Sequence, residues 1–129
     1  MSDKKPDYSA INILVVEDNP INMELIRDIL QIRGYRVIEA TDAQECYYHL
    51  ERIKPKLILM DIQLPEIDGY KLTSKLKKKK EMLEIPIIAV TAYAMKGDRE
   101  RALKAGCIDV ITKPISIQSF YATIDKYIK

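Results

Sequence analysis

The chain has 129 residues, 47% of them hydrophobic, with 21 basic and 19 acidic side chains and a formal net charge of +2. That is one domain, large enough to bury a core without disulfides or a structural metal, and too evenly charged for a nucleic-acid-binding surface. Membrane, secreted and metal-scaffold classes are excluded as well: no apolar run approaches the ~20 residues of a span, the start Met1-Ser2-Asp3-Lys4-Lys5-Pro6 lacks an apolar signal core, and Cys46 and Cys107 fit no ligand spacing. Two lone cysteines point instead to reduced, buried thiols in a cytoplasmic protein.

Residues 1–10 are polar and predict a mobile tail ahead of one domain over residues 11–129. The first strand is expected over Asn12–Glu17. Asn19-Pro20 then supplies a helix cap and a proline at the first helical position, where no amide donor is needed. Ile21, Leu25, Ile26, Ile29 and Leu30 form the expected apolar stripe of that helix, and Gly34 closes it. Val37–Ala40 reads as a second strand. Thr41 and Gln44 suggest a capping box for a second helix with Ala43, Cys46, Tyr47, Leu50 and Ile53 inward, broken by Pro55.

Leu57–Met60 is the third strand. A third helix follows Asp68-Gly69, with Leu72 and Leu76 inward and the run Lys77–Lys80 as its solvated end. Ile87–Val90 is the fourth strand, Lys96–Ala105 the fourth helix, and Val110–Thr112 the fifth strand. Ser116 caps a last helix with the stripe Ile117, Phe120, Ile124, Tyr127 and Ile128. Five strand–helix alternations predict a parallel sheet covered on both faces, and five are too few for a closed barrel, so the fold is a doubly wound α/β sheet. Such sheets bind ligands at the carboxyl ends of their strands.

Acidic residues sit at those ends. Glu17 and Asp18 follow Ile13–Val16, and Asp61 follows Leu57–Met60. Charge at the end of a buried strand is costly without a partner, and grouped carboxylates repel unless a cation lies between them. Hard oxygen donors of this kind suit Mg²⁺. Thr91 and Lys113, after the fourth and fifth strands, add a hydroxyl donor and a compact positive charge suited to a phosphoryl group. One carboxylate in such a set is able to attack phosphorus and form an acyl phosphate. No glycine-rich turn follows the first strand, which excludes a nucleotide-binding domain.

The set Glu17-Asp18-Asn19, Leu59-Met60-Asp61-Ile62-Gln63-Leu64-Pro65, Val90-Thr91-Ala92 and Thr112-Lys113-Pro114 closely resembles the receiver domains of two-component response regulators, the CheY-like superfamily. The resemblance runs from about Ile11 to the end. It is strongest toward stand-alone single-domain receivers that regulate cell division and polarity, and receivers of hybrid kinases share the same motifs. It implies a flavodoxin-like (βα)5 fold with strand order 2-1-3-4-5. It also implies that Asp61 accepts phosphate from a phosphohistidine on a sensor histidine kinase or a histidine phosphotransfer protein, with Mg²⁺ (or Mn²⁺) as cofactor. Asp18, Asp61 and the Gln63 backbone carbonyl would hold the metal, with Glu17 assisting through a water. Thr91 and Lys113 would contact the phosphoryl group, the Lys113-Pro114 bond would be cis, and Gly69 would allow the turn into helix three. Gln63 and Tyr93 would set the phosphoryl lifetime.

One departure stands out. The position three before the lysine is usually an aromatic that rotates inward during switching, and here it is Val110. The resemblance therefore implies phosphorylation-dependent protein binding with an altered output route, in a signalling protein whose only catalysis is its own phosphoryl transfer. Two alternatives stand beside it. A phosphorylation-independent module of the same fold would keep the architecture without the chemistry. An aspartate-nucleophile phosphatase would need a second acid where Gln63 stands. His49, between Tyr48 and Leu50, reads as an exposed helix histidine rather than a phosphorelay residue.

Overall fold

A computed structural model describes residues 11–92 and 97–128; the tail expected over 1–10, Tyr93 and Lys96 lie outside the described residues. Strands and helices alternate as β1 (Asn12–Val16), α1 (Pro20–Ile32), β2 (Arg36–Ala40), α2 (Ala43–Leu50), β3 (Leu57–Asp61), α3 (Gly69–Lys77), β4 (Ile87–Thr91), α4 (Asp98–Ala105), β5 (Asp109–Thr112) and α5 (Ile117–Tyr127). All strand pairings are parallel, in the order β2-β1-β3-β4-β5. This is the flavodoxin-like receiver arrangement that the resemblance implied.

The three inner strands are apolar on both faces because helices cover both. Ile13, Val15, Leu57, Leu59, Ile88 and Val90 pack with Met23, Ile26 and Leu30 of α1 and Phe120 and Ile124 of α5. Leu14, Val16, Ile58, Met60, Ile87 and Ala89 pack on the other side with Cys46 of α2, Leu72 and Leu76 of α3 and Ala102 of α4. Register pairs Val16 with Met60, Asp61 with Val90 and Thr91 with Thr112, so the carboxyl ends of β1, β3, β4 and β5 form one edge.

Local signals set the helix boundaries. Asn19 accepts from the amides of Ile21 and Asn22 at 2.9 and 3.1 Å, with Pro20 opening α1. At the far end Gly34 has φ 90°, and its amide and that of Tyr35 bond back to Gln31 and Leu30. The buried row of α1, however, is Met23, Ile26, Ile29 and Leu30, whereas Ile21 and Leu25 are 77% and 43% exposed. Apolar residues cover a wider arc than the one touching the sheet, and Met23 completes the inward row three before Ile26.

The cap of α2 lies one residue later than the sequence suggests. Asp42, in extended conformation, accepts from the Glu45 amide at 2.8 Å, and the Glu45 carboxylate takes the Thr41 amide and hydroxyl at 2.6 and 2.7 Å. Those two bonds, the amide first, hold the Glu45 carboxyl below its ordinary range. Gln44 has no part in the box, and Ile53 falls beyond the end of α2. Asp42→Ala is expected to cost about 1 kcal/mol, read as a lowered midpoint in thermal unfolding.

Other sequence expectations shift with packing. Lys77 is not part of a solvated lysine end: it is half-buried and donates to the carbonyls of Met82 and Ile85. His49 is half-buried rather than exposed, with Nε2 2.9 Å from the Glu39 carbonyl on the outer strand β2. Ser116 stands at the cap position of α5 but makes no capping bond with its side chain, and Ile117 is exposed. Cys46 and Cys107 are free and buried, and burial pushes their thiols up to about 12 and about 11. No helix among the described residues is long and apolar enough to cross a membrane.

Candidate functional site

The chain leaves β1 through Glu17 and Asp18. Glu17 is fixed by its own backbone, its amide donating to the Ala40 carbonyl at 2.9 Å, and its Oε2 accepts from the Asn19 amide at 3.1 Å. The cap of α1 and the acid pair therefore form one turn. Asp61, the last residue of β3, faces the same edge, and its Oδ1 accepts from the Gln63 amide at 3.1 Å. Glu17, Asp18 and Asp61 offer oxygens that all lie within 4.8 Å of one another.

Lys113 closes the group from β5. Its Nζ lies 2.9 Å from Glu17 Oε1 and 3.6 Å from Asp61 Oδ1. The lysine amide donates to the Thr91 carbonyl at 2.8 Å, and the Lys113-Pro114 bond is cis. Thr91 ends β4 and is buried. The structure thus gathers Glu17, Asp18, Asp61, Thr91 and Lys113 at one sheet edge, with Gln63 beside them; Tyr93 lies outside the described residues.

Burial decides the electrostatics. Glu17 is 1% exposed and Asp61 3%, while Asp18 is open to solvent. Loss of water, and then the proximity of Glu17, push the Asp61 carboxyl up to about 7, against the opposing pull of the Gln63 amide and Lys113. One ammonium does not offset three carboxylates. Two nearly dry acids beside an open one form a donor set that fits a hard divalent cation, which takes carboxylate oxygens and keeps several waters.

Two features were not legible in the sequence as such. Gly69 does not serve a special turn, since its φ is not positive; a Cβ there would lie 2.4 Å from the Asp61 carbonyl oxygen and 2.7 Å from the Ile62 Cα. The glycine is needed because α3 begins against the backbone of the site. Asp109 is a buried acid that accepts from Arg99, Tyr127 and the Val110 amide. Burial raises its carboxyl, but these donors outweigh that and leave it below the ordinary range. It ties α4 and α5 to β5, apart from the site.

The model of the response regulator receiver domain matches residues 13–125. The chain belongs to that family. Among its relatives is the polar-differentiation response regulator DivK of Brucella anthropi, 46% identical over 117 residues, which cover 91% of this chain and 95% of DivK. The receiver domain of the sensor histidine kinase PA1611 from Pseudomonas aeruginosa, solved with a magnesium ion in its active-site cleft, is 38% identical. It covers 91% of this chain and 96% of its own, with a TM-score of 0.83. The receiver of Saccharomyces cerevisiae Ssk1, solved with the histidine phosphotransfer protein Ypd1, is 28% identical over 91% of this chain and 88% of that one, with a TM-score of 0.81. This receiver is accordingly a two-component signalling protein. Val110, half-buried opposite Ala89, packs on the α2–α3–α4 face of the sheet.

Proposed function

We propose that Asp61 is the phosphoacceptor of this receiver. The observation that carries the reading is the position of its carboxylate: within 4.8 Å of Glu17 and Asp18 oxygens, and 3.6 Å from the Lys113 ammonium, at the open end of the sheet. A carboxylate oxygen of Asp61 attacks phosphorus, the phosphorus–nitrogen bond to a donor imidazole breaks, and the imidazole leaves. Asp18, Asp61 and the Gln63 carbonyl would hold Mg²⁺ (or Mn²⁺) directly, with Glu17 through a water. The ion, when bound, offsets repulsion between the acids and the incoming phosphate.

Lys113 is held in the first place by Glu17, at the shorter of its two contacts, which keeps its ammonium facing the site. A phosphoryl group brings about −1.5 to −2 charge, enough to draw Lys113 away from Glu17 toward itself. The buried Thr91 hydroxyl supplies a hydrogen-bond donor on the β4 side. Donors are a sensor histidine kinase or a histidine phosphotransfer protein, and the output is phosphorylation-dependent binding of another protein, a shift between two conformations that the partner distinguishes. Gln63 and Tyr93 would govern water access and hence phosphoryl lifetime.

The test is intact-protein mass after incubation with a small acyl phosphate, or with phosphoramidate as a phosphorus–nitrogen donor, with and without Mg²⁺. The expected result is one hydroxylamine-labile phosphoryl gain that requires Mg²⁺. A folded protein that gains nothing from either donor or from a phosphohistidine protein would instead favour the phosphorylation-independent module.

A further inference from the structure

Helix α3 starts in hard contact with the phosphoacceptor strand. Beyond the close approach of Gly69 to the Asp61 carbonyl, the Gly69 amide donates to the Ile62 carbonyl at 2.8 Å, so the first turn of α3 has no slack against the end of β3. The next residue, Tyr70, is half-buried and points across to α4. Its hydroxyl donates to the Asp98 carbonyl in the first turn of α4 at 3.3 Å, and the Arg101 guanidinium lies 4.7 Å from the ring centroid. Tyr70 therefore holds α4 by two different attachments, one to backbone and one to a cation, one residue from a backbone packed on Asp61.

On β5 the attachment to α4 is made by Asp109, which accepts from Arg99 at 3.2 Å at the amino end of the strand, away from the site. Val110 packs against the same core as Tyr70, but it has neither a ring nor a polar atom with which to hold α4. Burial and then the nearby Asp98 carboxylate push the Tyr70 phenol above its ordinary value, so the hydroxyl stays protonated and donating across the working range.

We propose that Tyr70 is the positioning residue that couples the state of Asp61 to α4, in the role for which the position three before Lys113 offers only Val110. The inference rests on the reading of Asp61 as phosphoacceptor. When charge at Asp61 shifts the end of β3, α3 moves with it through Gly69, and Tyr70 either holds or releases the first turn of α4. Differential attachment of one side chain in two states is what a two-state coupling requires.

Hydrogen exchange of the α4 amides, measured with and without acyl phosphate and Mg²⁺ while intact mass records phosphoryl occupancy, tests this. In the wild type, phosphorylation is expected to change exchange in α4 at least fivefold. In Tyr70→Ala the change should fall below twofold at the same occupancy, because the chemistry at Asp61 does not use the ring. Tyr70→Phe, which keeps the ring under Arg101, should recover a response between the two. If Tyr70→Ala does not fold, Tyr70→Phe decides: a response smaller than wild type supports the coupling, and an equal one overturns it. An undiminished α4 response in a folded Tyr70→Ala also overturns it, as does a wild type that gains phosphate without any change in α4. A wild type that gains no phosphate from acyl phosphate, phosphoramidate or a phosphohistidine protein overturns the Asp61 reading and this inference with it, and the mass measurement separates that failure from the others.

Discussion

Replacing Asp61 with asparagine is expected to abolish phosphoryl uptake, by at least 100-fold, and to make the protein more stable at pH 8 in the presence of a chelator. The second effect follows from burial. The Asp61 carboxyl is pushed up from 3.8 to about 7 in the folded chain. Below pH 3.8 it is protonated in both states and contributes nothing to the balance. Between that value and about 7 the folded state keeps the proton while the unfolded state releases it, so stability falls as pH rises. Above the folded value the penalty is complete, at about 4 kcal/mol for a rise from 3.8 to about 7. Asparagine carries no such penalty. Urea unfolding in chelator at intervals from pH 4 to 8 should give two curves that lie close together in acid and diverge toward pH 8. Parallel curves would mean that Asp61 is ionised at little cost. Mg²⁺ should then stabilise the wild type and not the variant, because the site has lost a carboxylate donor.

Gly69→Ala should be strongly damaging for a single added methyl. The added Cβ would sit 2.4 Å from the Asp61 carbonyl oxygen and 2.7 Å from the Ile62 Cα, both backbone atoms that cannot rotate away. Overpacking of a tight core typically costs 1–3 kcal/mol, and contact with backbone belongs at or above the upper end, so a loss of about 3 kcal/mol is expected. Relief requires the end of β3 to move, and Asp61 moves with it, disturbing its placement beside Lys113 and Glu17. The expected signature is a lowered unfolding midpoint together with at least a tenfold slower Mg²⁺-dependent mass gain. A variant with full stability and normal labelling would show that α3 is free to retreat from the strand, and would remove the mechanical link from Asp61 to Tyr70 as well.

Much of this protein is written along the chain. The apolar runs Ile13–Val16, Leu57–Met60 and Ile87–Val90 announce strands buried on both faces, because only a sheet covered twice tolerates continuous apolar sequence. Asn19-Pro20 and Asp68 mark helix starts through short-range hydrogen bonds that need no tertiary partner. The acids at the ends of β1 and β3, with Thr91 and Lys113 at the ends of β4 and β5, could be placed at one end of the sheet from the alternation alone.

Other properties depend on which surfaces meet. Whether Ile21 or Met23 faces the sheet depends on how α1 rolls against β1 and β3, and an apolar arc wider than the contact leaves that choice open. Lys77 belongs to a lysine run, yet it alone of 77–80 reaches the Met82 and Ile85 carbonyls, because the short 3-10 turn at Lys80–Met82 folds back over it. The sequence by itself determined the layered α/β architecture, the helix caps at Asn19 and Asp68, and which acidic, hydroxyl and basic side chains share the carboxyl edge of the sheet, since strand burial and capping are local. Tertiary structure decided the raised proton affinity of Asp61, the need for glycine at 69 and the reach of Tyr70 to α4, because desolvation, close approach and contact between helices exist only once distant segments are packed together.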